Sequence, residues 1–284
     1  IFEVVARGTY GWWHQTFLEY LAAAELALAF VSPHVEIQEA FWYLAWDKRK
    51  YSRWIEILRL MVGILIYEFR RQGTQKALEW LHALVAQRAA SEGDVGDLGL
   101  TLAIRSLSEI GETAHLWEEP AFLELEEAVA NTWTQAVLEA ADRGHEVRQA
   151  RLLYVAEEIG HFNPSVVQAV ANQLMASITG KNARIRKVII QALGRLGRYA
   201  PAGFIMQALS DKHSKVREAA AYALAELEEY APIDALIQVL KSENRAVRAA
   251  AMLALGEMRK VDLREILLPG LHDEDYSVRE ETVR

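Results

Sequence analysis

Val216–Leu224 reads VREAAAYAL, and 31 residues later Val247–Leu255 reads VRAAAMLAL. The register extends in both directions. Arg186, Arg217, Arg248 and Arg279 stand 31 residues apart, each preceded by a β-branched residue: Ile185, Val216, Val247 or Val278. Apolar columns keep step with them: Ala192, Ala223 and Ala254; Leu193, Leu224 and Leu255; Leu196, Leu227 and Met258. A second set follows at the same period in Ile205, Leu236 and Leu267, then Leu209, Leu240 and Leu271. Self-similarity at such a period marks stacked supersecondary units, each unable to bury its apolar face alone. The end of the chain therefore reads as an α-solenoid of helix pairs, an architecture that serves binding more often than catalysis.

Each pair is predicted to open near Pro201, Pro232 or Leu263, because a helix tolerates proline at its first turn. A polar turn follows at residues 211–214, 242–245 and 273–277. Asn182, His213, Asn244 and Asp275 occupy the N-cap position of the second helix, and all but the histidine are good cappers. Upstream, Leu102–Gly111 and Val147–Gly160 echo the pattern at irregular spacing. Three segments are thus expected: 1–31, 32–95 and a repeat region 96–284, regular from about 182 and cut short at its C-terminus.

Before the repeats, Phe2–Ala6 and Tyr10–Trp13 flank Arg7-Gly8-Thr9 and read as a short β-hairpin. Helices are expected at 14–30, 34–47, 52–71, 74–91, 97–111, 120–142, 146–160 and 164–179. The fold class is all-α with that short hairpin at its start.

Composition narrows the function. The chain of 284 residues lacks cysteine, which removes disulfides, thiolate metal sites and cysteine nucleophiles and suits a reducing, cytoplasmic setting. No apolar run is long enough to span a bilayer. Residues 1–180 carry a net charge of −10 and residues 181–284 a net +2, so the two parts present different surfaces. All eight tryptophans lie between Trp12 and Trp133; Trp42, Trp46, Trp54 and Trp80 recur at helical intervals and read as core and inter-helix packing.

Two resemblances follow from these residues. The Val-Arg-x-Ala-Ala-x-x-Ala-Leu unit resembles HEAT repeats, nearest the short subtype of phycobilin lyases and bacterial scaffolds. Tyr10–Ala23, YGWWHQTFLEYLAA, is similar to the end of the winged-helix region in NACHT-type NTPases of the STAND class, matching at Trp13, His14, Thr16, Phe17, Glu19, Tyr20, Ala22 and Ala23. Trp54, Glu56, Leu60 and Gly63 loosely fit a second stretch of that class. The resemblance implies a winged-helix remnant in residues 1–31 and an NTPase module outside this chain. It assigns His14 the sensing of nucleotide phosphate. ATP or ADP with Mg would be bound only by the longer protein, with no cofactor, no metal and no catalysis here. It further implies a signalling or defence switch: the repeats bind a protein or other macromolecule on their concave face, restrain the NTPase, and release it to oligomerise. The alternatives are a free-standing HEAT-repeat adaptor, a phycobilin lyase, or a HEAT-fold DNA glycosylase, the last disfavoured by the acidic balance.

Other candidates are weaker. Such arginines typically pair with an aspartate of the inter-helix turn, so Arg186, Arg217, Arg248 and Arg279 with Asp211 and Asp273 are expected to be a structural ladder. Ser242 and Gly180 replace the aspartate in the other two units. Residues 48–53, KRKYSR, form a basic cluster between helices and read as a solvated charge run. His145-Glu146 is a single pair where iron-binding HEAT hydroxylases need several. Glu157, Glu158 and His161 lack further ligands, and Gly180-Lys181 lacks the first glycine of a phosphate loop.

Overall fold

The computed structural model describes residues 2–6, 9–12, 15–48, 51–88, 94–114, 120–227, 230–258, 268 and 270–283. The chain divides into two compact units, Ile1–Thr132 and Trp133–Arg284. Apart from one antiparallel ribbon, β1 (Phe2–Ala6) with β2 (Thr9–Trp12), every described element is a helix. No third strand accompanies that ribbon among the described residues, and its reading as a winged-helix remnant is not supported.

In the first unit, α1 (Gln15–Val31) ends where Ser32-Pro33 removes the continuation, and the Ser32 hydroxyl accepts from the His34 N–H at 3.2 Å. α2 (Val35–Lys48) follows, then α3 (Ser52–Arg88) and α4 (Asp94–Ala114). Phe30, Phe41 and Trp80 are buried at the centre: Phe30 stacks on Phe41 at 4.2 Å, and Trp80 meets Phe41 edge-on at 5.7 Å. Trp42, Trp46 and Trp54 are only half-buried, with Trp42 and Trp46 closing the cluster from outside.

The sequence predicts two helices over 52–91, broken before Thr74, whereas α3 runs unbroken through that point. It nonetheless turns back on itself there. A Cβ placed on Gly73 would fall on the main-chain carbonyl of Leu65. In a straight helix, eight residues separate such groups by about 12 Å. Glycine is therefore required at the reversal.

The second unit begins within α5 (Pro120–Arg143) and continues through α6 (Glu146–Tyr154), α7 (Ala156–Ile159) and α8 (Pro164–Ala176). One helix was expected over 146–160, but it breaks at Val155. The buried indole N–H of Trp133 donates to the Leu152 carbonyl at 2.8 Å, and the Arg195 guanidinium donates to that of Leu153 at 3.2 Å. Side chains thus take the two carbonyls that the next helical turn would need.

The regular pairs follow. The second helices are α9 (Ala183–Gly194), α11 (Ser214–Glu226), α13 (Arg245–Glu257) and α14 (Tyr276–Val283), each packed on the next. Between them lie the short first helices α10 (Ala202–Ala208) and α12 (Ile233–Val239). Pro201 and Pro232 sit at the N-cap, one residue earlier than the expected first helical position. Leu263 and Leu267 lie outside the described residues. The sequence columns form the core: Ile185, Val216, Val247 and Val278 are buried, as are Leu193, Leu224 and Leu255. Burying one such leucine contributes about 1.5–3 kcal/mol. Leu240 is only half-buried and Leu271 exposed, so that column weakens toward the C-terminus.

Candidate functional site

The arginine ladder recurs through the repeats, and each rung follows from the turn that precedes its helix. Asn182 accepts from the Ile185 N–H at 3.0 Å, Asn244 from that of Ala246 at 3.0 Å, and Asp275 from that of Ser277 at 2.9 Å. His213, in the same column, makes no such cap. One turn into the helix the arginine folds back over these loops. Its Nη1 donates to a carbonyl five or six residues earlier: Arg186 to Lys181 at 2.8 Å, Arg217 to Asp211 at 2.9 Å, Arg248 to Ser242 at 2.9 Å, and Arg279 to Asp273 at 2.7 Å.

The remaining two nitrogens reach forward into the next repeat. Arg186 forks the Asp211 carboxylate, with Nε and Nη2 both at 2.7 Å, and Arg248 forks Asp273 with both at 2.8 Å. Each aspartate is thus clamped by the arginine 25 residues before it, while the arginine six residues after it takes only its main-chain carbonyl. The carboxylates also accept from the N–H two residues on, Asp211 from His213 and Asp273 from Asp275. Hydrogen bonds from the guanidinium hold both carboxyls below the usual carboxylate range, and the same bonds raise the two arginines. The corresponding partner of Arg217 is Ser242, whose hydroxyl accepts from the Asn244 N–H at 3.2 Å. One forward rung is missing.

Asp275 is lowered to about 2, first by the Ser277 hydroxyl and then by Arg245 at 3.0 Å. Glu226 is raised by burial at the end of α11, with Arg195 at 3.5 Å opposing the shift, although its side chain is about half exposed. Both are ion pairs between neighbouring helices of the repeats.

His14, Arg49 and Lys50 lie outside the described residues. Lys48 of the basic cluster pairs with Asp47 at 3.2 Å and lies over the Tyr51 ring. His145 is exposed at the N-terminus of α6, and His161 is exposed as well. Among the described residues no three His, Asp or Glu side chains converge as metal ligands. None of the described helices is long and apolar enough to cross a membrane.

Sequence reasoning missed a groove. It lies between α6 and α9, with a volume of about 490 Å3, and is lined by Glu146, Leu153, Arg184, Lys187, Val188 and Lys215 among others. The signal that finds it is a break in periodicity: Arg184 and Lys215 share one 31-residue column, which then continues as Ala246 and Ser277.

The comparisons agree with the helix pairs and stop there. The family model for HEAT repeats matches residues 171–234 and 202–284. No curated protein matches the chain. Among solved structures, that of an engineered protein is 14% identical, covering 95% of this chain and 93% of that one with a TM-score of 0.31, too low to carry an argument. Nothing in these matches supports a winged-helix or NACHT/STAND part. HEAT repeats are found across residues 171–284 of this chain.

Proposed function

We propose that the repeats are a protein-interaction scaffold, the role that HEAT repeats commonly serve. One observation carries the reading. The ladder and the apolar columns consume the framework positions, while outward positions in the middle of successive second helices change character: Lys187 is followed 31 residues on by Glu218, and Gln191 by Tyr222. Outward positions that packing leaves unconstrained are where a recognition surface is written.

The test is photo-crosslinking in cells with a crosslinking amino acid at 218 or 222 on α11, against 203 or 207 on α10, all four positions being exposed. The scaffold reading expects a discrete protein adduct from the α11 positions alone. Absence of adducts, or equal adducts from α10, overturns it. We further propose that the chain is non-enzymatic, takes no cofactor and acts in the cytoplasm; ATP hydrolysis by purified protein would refute the first of these. The finer reading, in which the scaffold restrains an NTPase module and His14 senses its nucleotide, rests on Trp13–Ala23 alone. A phosphate-loop motif upstream in the same reading frame is what it requires.

A further inference from the structure

We infer that the groove between α6 and α9 binds an acidic peptide segment of a partner protein. This names a ligand class for one part of the proposed scaffold and rests on that reading. The repeats spend most of their arginines internally: Arg186 on Asp211, Arg195 on the Leu153 carbonyl and Glu226, Arg217 on the Asp211 carbonyl, and Arg248 on Asp273. Arg184, Lys187 and Lys215 make no hydrogen bond or ion pair among the described residues, and all three line the same groove. Glu146 is the only carboxylate in that lining.

The fold does not require these charges. Alanine and serine serve at 246 and 277, in the column of Arg184 and Lys215, and alanine serves at 249 in the column of Lys187. The Arg184 guanidinium packs where a Cβ on residue 144 would stand, and Gly144 leaves that space open. The residues of the second unit carry 20 positive and 20 negative charges, so the concentration of cations is local to the groove.

Geometry sets the size of the ligand. Arg184 and Lys187 are one turn apart on α9, and Lys215 stands on the adjacent helix, about 8–10 Å away by ordinary helix packing. An extended chain advances about 3.3 Å per residue. Two or three carboxylates within about four residues therefore satisfy all three cations. Leu153 and Val188 give the groove an apolar floor that suits side chains between those carboxylates. Three cations beside Glu146 are too few, and too confined, to follow a nucleic-acid backbone.

The experiment is fluorescence anisotropy of the full chain with a labelled nonapeptide, Gly-Leu-Asp-Glu-Leu-Asp-Glu-Leu-Gly, and with labelled oligothymidylate. Saturable peptide binding that weakens with salt is expected. The R184E/K187E/K215E variant should weaken it at least tenfold, a K212E/K241E control less than twofold, and thermal melts confirm that each variant folds. E146K removes the opposing carboxylate and should tighten binding several-fold, a readout that misfolding cannot mimic. No saturable binding, equal binding by the triple variant, or tighter binding of oligothymidylate overturns the proposal. If the groove fails in this way while crosslinks at 218 and 222 persist, the scaffold reading stands without it.

Discussion

Ser242→Asp should stabilise this protein by completing the missing rung. Arg217 already donates Nη1 to the Asp211 carbonyl, and position 242 stands 25 residues ahead of it. At that spacing Arg186 and Arg248 each fork an aspartate at 2.7–2.8 Å. The turn needs no rearrangement, since the Ser242 hydroxyl accepts from the N–H two residues on, as Asp211 and Asp273 do. The existing pairs are only about one-tenth to one-sixth exposed, with side-chain values of 16 and 14% for Arg186–Asp211 and 9 and 13% for Arg248–Asp273. Unit charges at such distances attract by several kcal/mol at an effective dielectric constant of about 20. Desolvation and side-chain ordering offset most of that. A net gain of about 1–2 kcal/mol is expected, above the range of exposed pairs. Repeat arrays need not unfold in one step, so the assay is hydrogen exchange of α11 and α13 alongside urea denaturation. The gain must vanish when Arg217 is replaced by Met, in a double-mutant cycle. A Ser242→Asp gain that survives Arg217→Met, or no gain at all, refutes the account of the ladder.

Removing a rung should have the opposite effect. Asp273→Ala leaves the Arg248 guanidinium without its carboxylate in a site where that arginine is buried, and a loss of about 2–4 kcal/mol is expected, seen first as faster hydrogen exchange in α14. The pH dependence has a definite sign. Asp211 and Asp273 are depressed in the folded protein, so their contribution is full above the unfolded carboxylate value of about 3.9 and is lost as pH falls through their folded values. Melting temperatures of the native protein and of D211N/D273N should differ at neutral pH and converge in acid; a constant gap would contradict this. Gly73→Val should destabilise the first unit, because the reversal in α3 has no room for a Cβ beside the Leu65 carbonyl; overpacking of this kind costs about 1–3 kcal/mol or more, measurable by circular dichroism melts.

The helix pairs were legible because their causes are local. A 31-residue period, N-caps at Asn182 and Asn244 and buried columns at Leu193, Leu224 and Leu255 each declare themselves within one repeat. The break at Val155 was not legible, because the groups that take the Leu152 and Leu153 carbonyls, Trp133 and Arg195, come from elements about 20 and 40 residues away. Trp13–Ala23 led the other way. Its wording resembles a winged-helix end, yet neither the fold nor the comparisons support one, since a short motif fixes a local chain path and leaves the domain around it open.

By itself the sequence determined that the chain from about residue 182 is stacked helix pairs and which positions their core would use. It also named the residues of the ladder. Only the tertiary structure decided the direction of each rung, with the aspartate serving the arginine of the preceding repeat, 25 residues back, instead of the one six residues ahead. The same stacking gathered Arg184, Lys187 and Lys215 into one groove. Periodicity makes equivalent positions look alike; which neighbour a side chain meets depends on how one repeat is laid against the next.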